Sequence, residues 1–455
     1  MTSSTSSGCG AQTPEDLPLD NSDARREGPA SAQPRPLNIV VGVCGGIAAY
    51  KACHLVRFFK EGGHNVRVVP TPTALKFVGA ATFEALSGQP VATDVFSDVD
   101  SVQHVRLGQK ADLVVIAPAT ADFLARAASG RADDLLSSTL LVATCPVVMA
   151  PAMHTEMWNH PATRANVATL RSRGVAVLEP AHGRLTGKDS GPGRLLEPEQ
   201  IGQLALTVWQ LQGREGSVAH AAIPGGQGLQ GVRVLITAGG TQEAMDPVRF
   251  IGNRSSGRMG FALAEIATQA GAEVTVVAAS VDERLQVPAG ARLVRVESAR
   301  ELKQEVDGRV GETDCLIMAA AVADVRPAEP AQQKLKKGQG DARLGGIAFA
   351  ENPDILRGVV QWRGARPRPV IVGFAAETGD EHNDVVAYGR AKLASKGCDV
   401  VFCNEVGRGK VFGQPTGGGW LLFQQGDVRQ VAQGRKLDVA AEIIGAVIQL
   451  LRAAG

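Results

Sequence analysis

Twice along this chain a run of β-branched residues stops on a pair of glycines. Leu37–Cys44 reads LNIVVGVC and meets Gly45-Gly46; Val232–Ala238 reads VRVLITA and meets Gly239-Gly240. A short run with hardly a polar position is buried on both faces, as strands of parallel sheets are. Helical patterns follow each run, Ile47–Glu61 stopped by Gly62-Gly63, and Gly260–Ala270. Further strands are expected at Asn65–Pro70, Asp112–Ala117 and Ala143–Ala150, then at Glu273–Ala278, Cys315–Ala319, Pro369–Phe374 and Asp399–Cys403. This alternation predicts an α/β fold class, two doubly wound three-layer domains in series. Beyond the shared opening the halves show no convincing repeat.

At 455 residues the chain exceeds one ordinary core. Residues 1–36, rich in Ser, Gly, Pro, Asp and Arg, are expected as a disordered tail. The first domain is expected over 37–212, a Gly-rich linker over 213–230, and the second domain over 231–455. No apolar segment suits a secretory leader or a transmembrane helix. A net charge of +1 creates no field that recruits nucleic acid or a membrane surface. The seven cysteines are scattered without zinc spacing. Reduced thiols and a cytoplasmic location are the expectation.

Four segments of the first half carry chemistry. Gly45, Gly46 and Ile47 open a helix where backbone N–H groups can approach a phosphate, although such a turn also occurs for structural reasons alone. Ala117-Pro118-Ala119-Thr120-Ala121 follows an expected strand, with Asp133-Asp134 further on. These suit the edge of a flat ring and its polyol chain, or equally a capped helix with an acidic start. PAMHTEMWNHPAT, Pro151–Thr163, places Met153 and His154 where a crevice should open. His104 stands near a helix start, where a lone His is more often structural than catalytic.

In this order, GGIAAYK, APATA, ADDLL, PAMHTEMW and GRLTGKDSGPGR resemble the FMN-dependent phosphopantothenoylcysteine decarboxylases over roughly Leu37–Gln210. The resemblance implies a flavodoxin-like domain binding FMN through Gly45, Gly46, Ile47, Ala117 to Ala121, Asp133, Asp134 and Met153. It implies oxidative decarboxylation of a cysteinyl carboxylate through a thioaldehyde. His104 matches the family's active-site His. His154 stands where most relatives have the Asn that binds the substrate carboxyl. The flap Gly183–Arg194 departs further, because Gly187 falls where many relatives carry a proton-donating Cys. Lys188, Asp189 or water could replace it, or this half could be a regulatory flavoprotein.

The second half is denser in such signals. Gly239, Gly240 and Thr241 suggest an anion-cradling turn, and Asn253, Ser255, Ser256 and Gly257 precede a helix. MAAAVADVRPAEPAQQKLKK, Met318–Lys337, sets small residues, Ala320 among them, before Asp324 and then Lys334, Lys336 and Lys337. A charge run is usually a solvated face; on a loop after a strand it could also clamp a triphosphate. Phe374, Lys392, Lys396 and Asn404 cluster near later strand ends.

DPVRFIGNRSSGRMG beside AAAVADVRP and KLKK resembles the phosphopantothenate–cysteine ligases from about Gly231 onward. The resemblance implies a Rossmann-like ligase domain that joins 4′-phosphopantothenate to cysteine through an acyl-cytidylate. CTP is implied because fusion behind a decarboxylase is the bacterial arrangement. Lys334 matches the lysine tied to acyl-cytidylate formation, and Asn253 the asparagine tied to its conversion to amide. Asp324 and Phe374 match positions lining the nucleotide, with Lys392 and Lys396. No metal ligand is assigned; Mg2+ is expected to bridge the CTP phosphates, with Asp324 its candidate side chain. The resemblance also implies homo-oligomers: trimers of the flavin domain, dimers of the ligase domain and a closed dodecamer. A two-domain NAD(P) oxidoreductase is the rival enzyme class, and missing G-x-G-x-x-G spacing weighs against it.

Overall fold

The computed structural model describes residues 35–91, 102–184, 190–212, 222–335, 347–377, 384–405, 414 and 416–454. Most of the expected tail, Gly187 to Asp189 of the flap, part of the expected linker, and Lys336 and Lys337 lie outside them.

The first half runs β1 (Asn38–Val43), α1 (Lys51–Glu61), β2 (Asn65–Pro70), α2 (Ala80–Ser87), α3 (Gln103–Lys110), β3 (Leu113–Ala119), α4 (Ala121–Ser129), α5 (Leu135–Val142), β4 (Val147–Pro151), α6 (Thr155–Asn159), α7 (Pro161–Ser172) and β5 (Ala176–Val177). A hairpin of β6 (Ala181–Arg184) and β7 (Ser190–Arg194) follows, then α8 (Pro198–Gln212). The sheet is parallel in the order β2-β1-β3-β4-β5. That is the flavodoxin-like order, with its switch point between β1 and β3. Strand β4 starts later than its sequence suggested, because Ala143 caps α5 and the chain needs Cys145-Pro146 to turn into the sheet.

The second half runs β8 (Arg233–Ala238), β9 (Gln242–Ala244), β10 (Phe250–Gly252), α9 (Arg258–Gln269), β11 (Glu273–Ala278), β12 (Arg292–Arg295), α10 (Ala299–Asp307), β13 (Cys315–Met318), β14 (Val325–Pro327), β15 (Phe349–Glu351), α11 (Ile355–Arg363), β16 (Val370–Glu377), α12 (Val385–Lys396), β17 (Val400–Glu405), β18 (Thr416–Phe423), β19 (Val428–Arg435) and α13 (Lys436–Ala453). The sheet order is β12-β11-β8-β13-β16-β17-β18-β19. Its first six strands are parallel and follow the Rossmann order 3-2-1-4-5-6; β18 and β19 add an antiparallel edge. The hairpins β9–β10 and β14–β15 stand outside the sheet.

Alternation along β1 explains why it had to be apolar throughout. Ile39, Val41 and Val43 face one core and Val40 and Cys44 another. The first of these cores is continuous across both halves, taking in α1 and α8 beside one sheet and α9 and α13 beside the other. Each fully buried aliphatic side chain there contributes about 1.5–3 kcal/mol before entropy is counted. Within the expected linker, residues 222–230 are packed. Ala222 and Leu229 are buried, and the Gly225 and Leu229 N–H groups donate to Gln269 O and Ala270 O. Gly225, at φ +80°, passes so close to β5 that a Cβ would meet Val177 O at 2.6 Å.

Candidate functional site

In each parallel sheet the chain reverses strand order at one place, and loops leaving the strand carboxyl ends there form a crevice. In the first sheet the loops after β1 and β3 are tied together, since Cys44 N–H donates to Pro118 O at 3.2 Å. Ala152 N–H donates to Ala119 O at 3.0 Å, which brings in the loop after β4. So Gly45, Gly46, Ile47, Ala117 to Ala121 and Met153 gather at one sheet edge. Gly45 is required by a close approach: a Cβ would lie 2.6 Å from Thr73 Cβ. Gly46 differs, having extended backbone with nothing within 4 Å of a Cβ. Its face is open for a ligand.

Thr120 accepts the Phe123 N–H and caps α4, and Asp134 forms a capping box with Ser137 on α5. Both acidic residues expected at the ligand also grip Arg126, Asp133 at 2.7 Å and Asp134 at 2.8 Å. Burial opposes the Arg126 charge, but bonds to Asp134 and Asp133 outweigh it and raise its pKa. Asp134 and Asp133 thus brace the crevice wall through Arg126.

His104 lies in the first turn of α3, and a helix that leads into a parallel strand begins at that sheet's carboxyl edge. Its Nδ1 is buried without a hydrogen-bond partner, as is Thr155 Oγ1 at the start of α6. Buried polar atoms left without a protein partner fit an edge that takes a polar cofactor. His154 is exposed and N-caps α6 by position without a side-chain bond.

The flap hairpin is fastened to this edge. Met153 N–H donates to Gly193 O at 2.9 Å, and a Cβ on Gly191 would meet Thr155 Oγ1 at 2.5 Å. Glu197, just after the hairpin, takes both Arg194 and Lys51, the latter from the first turn of α1. Sequence reasoning missed this ion-pair hub, whose partners are far apart in the chain. Cys44, at the crevice floor, has its thiol pushed up to about 12 by burial, so it is no thiolate nucleophile.

In the second sheet the switch point lies between β8 and β13. There the expected anion-cradling turn is otherwise engaged. Gly240 N–H donates to Ser280 O, Thr241 N–H to Ala321 O, and Ala321 N–H to Gly239 O at 2.8 Å. Thr241 Oγ1 accepts the Ala323 N–H at 2.9 Å. Gly239, Gly240 and Thr241 therefore stitch the two loops together and do not line the cleft.

The cleft opens beside that stitch, with a volume of about 520 Å³. Asn253, Ser255, Ser256, Gly257, Ala320, Asp324, Phe374 and Lys392 line it as the sequence suggested. Asn253 Nδ2 donates to Val322 O at 2.8 Å, holding the small-residue loop in place. Phe374 stacks at a tilt on Phe402, centroids 5.4 Å apart, and Asn404 lies at the same end. Lys396 is elsewhere, on the last turn of α12 and paired with Asp354 at 2.5 Å. Lys334 does not line the cleft either; it is exposed, and the next residue is clamped. Leu335 N–H donates to Asp246 at 3.1 Å, and Leu335 O accepts from Arg249. Burial pushes the Asp246 pKa up, but N–H groups of Val248, Leu335 and Arg249 and the Arg249 charge win and lower it.

Arg254, Arg258 and Lys436 also line the cleft and were not anticipated. Lys436 opens α13, some 180 residues downstream of Gly257 in a chain whose folding alone unites them. Asp324 is the single carboxylate among the lining residues, against four cations. Such a cleft suits a polyanion.

A crevice at one sheet's switch point and a cation-lined cleft at the other's fit a flavoprotein that carries a second site. The comparisons agree. A family model described as Flavoprotein matches residues 27–208, and one described as DNA/pantothenate metabolism flavoprotein C-terminal domain matches residues 229–451. The coenzyme A biosynthesis bifunctional protein CoaBC of Mycobacterium tuberculosis (strain ATCC 25618 / H37Rv) is 54% identical over 419 residues, covering 91% of this chain and 97% of its own. Its counterpart in Bacillus subtilis (strain 168) is 39% identical over 422 residues, covering 92% and 98%. The chain belongs to this family of bifunctional coenzyme A biosynthesis proteins. It is a two-activity enzyme, a decarboxylase in its flavoprotein half and a ligase in the other.

Proposed function

We propose that the ligase half joins 4′-phosphopantothenate to cysteine at the expense of CTP, and that the FMN half decarboxylates the product to 4′-phosphopantetheine. The observation that carries this reading is the second cleft, whose lining combines a stacked aromatic pair with four cations against one carboxylate. A nucleobase and a triphosphate have that division of character.

In the ligase step the pantothenate carboxylate attacks the α-phosphorus of CTP and pyrophosphate leaves. Lys334, exposed beside the Leu335 that Asp246 holds, is the residue we assign to neutralise charge there, which requires its side chain to reach the cleft from outside the lining. Asn253 orients the small-residue loop, and Ser255 and Ser256 offer hydroxyls at the start of α9. One lining carboxylate, Asp324, fits Mg2+ held chiefly by phosphate oxygens. The cysteine amine then displaces CMP. Cys398 and Cys403 are not poised as nucleophiles, since burial raises each to about 11.

In the decarboxylase, bound FMN supplies the redox chemistry. Gly45 and Gly46 bring backbone amides to its phosphate, and the Ala117 to Ala121 loop shapes one wall. His104, with Nδ1 unpartnered, holds or moves a proton at the substrate. His154 donates to the substrate carboxyl, and the flap closes the site from water. The proton that other family members take from a flap Cys comes here from water or a flap side chain.

Exposed apolar side chains favour oligomers. Ile47, Tyr50, Phe77 and Met157 are exposed in the first half, and Val248, Phe250 and Phe349 on the two outlying hairpins. These patches suit a trimer and a dimer contact respectively. A cytoplasmic location fits raised, unpaired thiols, and no helix among the described residues is long and apolar enough to cross a membrane.

The deciding experiment gives the purified chain 4′-phosphopantothenate, cysteine, Mg2+ and either CTP or ATP. Mass spectrometry should find CMP, 4′-phosphopantetheine and CO2 with CTP. Absence of CMP and of any flavin spectrum would overturn the reading.

A further inference from the structure

Resting on the ligase reading above, we infer that Lys436 and Arg258 form the seat for the terminal phosphates of the nucleotide and hold pyrophosphate as it departs. Three independent features meet at this end of the cleft.

The first is backbone. Helices α9 and α13 both begin here, capped by position by Gly257 and Arg435, and neither N-terminus carries a side-chain cap. Uncapped first-turn N–H groups and two macrodipoles point positive charge at one space. Helix α9 also follows the first strand of a Rossmann-ordered sheet, the place where that topology puts phosphates.

The second is side-chain charge. Both cations line the cleft. Arg258 reaches Asp282 only at 3.4 Å, and that carboxylate is already taken by Arg284 at 2.9 Å. Among the described residues no carboxylate pairs with Lys436, which is half-buried. Burial first, and then the Arg258 charge, lower its pKa. Two like charges whose one carboxylate, Asp282, is shared with Arg284 carry a cost that a bound polyanion removes.

The third is anchorage. The residues flanking Lys436 are not free to drift: Arg435 donates to Asp438 at 2.7 Å and to Gln203 Oε1 at 3.0 Å. The α13 start is therefore pinned with Lys436 already at the cleft, which is preorganisation.

The step balances simply. The bond from carboxylate oxygen to α-phosphorus forms, and the bond from α-phosphorus to the bridging oxygen breaks. Its electron pair stays on pyrophosphate, whose added charge the Lys436 ammonium and Arg258 guanidinium meet.

The test uses the full-length holoenzyme. Lys436→Met should raise the KM for CTP roughly tenfold or more and weaken pyrophosphate product inhibition by a similar factor. Lys436→Arg should recover most of both. Flavin absorbance, and decarboxylation of supplied 4′-phosphopantothenoylcysteine, should not change in either variant. Unchanged CTP KM and pyrophosphate inhibition in Lys436→Met would sink the inference, as would equal losses in Met and Arg variants. If the unsubstituted enzyme makes no CMP, the ligase reading itself has failed, and that outcome is separately visible.

Discussion

Thr207 on α8 donates its hydroxyl to the buried carboxylate of Asp438 on α13 at 2.9 Å, across 231 residues of chain. Arg435 closes the group, donating to both Thr207 Oγ1 and Asp438. One helix belongs to the flavin half and the other to the ligase half.

Thr207→Val keeps the shape and removes the hydroxyl. Asp438 keeps its Arg435 partner, so the loss should stay near 1 kcal/mol. Urea unfolding of the two proteins should show the variant's midpoint lowered with its m-value preserved. An unmoved midpoint would mean that the junction contributes nothing in solution.

Gly46→Ala separates folding from cofactor binding. A methyl there meets no protein atom within 4 Å, and the backbone is extended. Thermal stability of the apoprotein should match the parent, yet FMN affinity should fall about tenfold or more, because the methyl occupies ligand space. Fluorescence titration of apoprotein with FMN measures it. Parent-like affinity would place the flavin elsewhere.

Asp246→Ala frees the segment that carries Lys334. Without Asp246, the Leu335 N–H loses its acceptor and the neighbouring turn unlocks. Misplacing a reacting group by an ångström can cost about a hundredfold, so CMP release should drop at least tenfold. Decarboxylation of supplied substrate, measured as CO2, should continue at the parental rate.

Glu265 supplies the pH dependence. It is buried between Gln200 at 2.8 Å and Gln269 at 3.3 Å, and burial raises its carboxyl pKa against the opposing pull of those two amides. The native state thus holds this proton more tightly than the unfolded chain. The stability it contributes is complete below the ordinary glutamate range and is lost as pH rises through the native value. Comparing Tm for Glu265→Gln and the parent between pH 4.5 and 8, the difference should move in the variant's favour as pH increases. A difference independent of pH would refute the assignment.

Much of the scaffold was legible because parallel strands buried on both faces announce themselves. Asn65–Pro70 and Glu273–Ala278 fall where the β-branched runs placed them. Strands β18 and β19 were not, since Gly417 to Gly419 and the polar alternation of an edge pair carry no such signal. At the second site, motifs gave Asn253, Ser255, Ser256, Gly257, Ala320, Asp324, Phe374 and Lys392 of the lining. They could not say that Gly240 and Thr241 spend their N–H groups on Ser280 and Ala321, or that Lys396 turns to Asp354. Hydrogen-bond partners are set by packing, which a single sequence does not encode locally. Lys436 was invisible for a related reason: a lysine opening the last helix looks like any solvated charge.

The backbone stitch between Gly240 and Ala321 has one more outcome. Strand order alone would file this sheet with the nicotinamide-dependent dehydrogenases. Their long two-nucleotide coenzyme lies stretched over the point where strand order reverses, and here the loops on either side of that point are bonded to each other. Two peptide hydrogen bonds thus draw the opening at the switch point together and leave the wider cleft beside it, so a sheet ordered like those of redox enzymes offers its room on the flank.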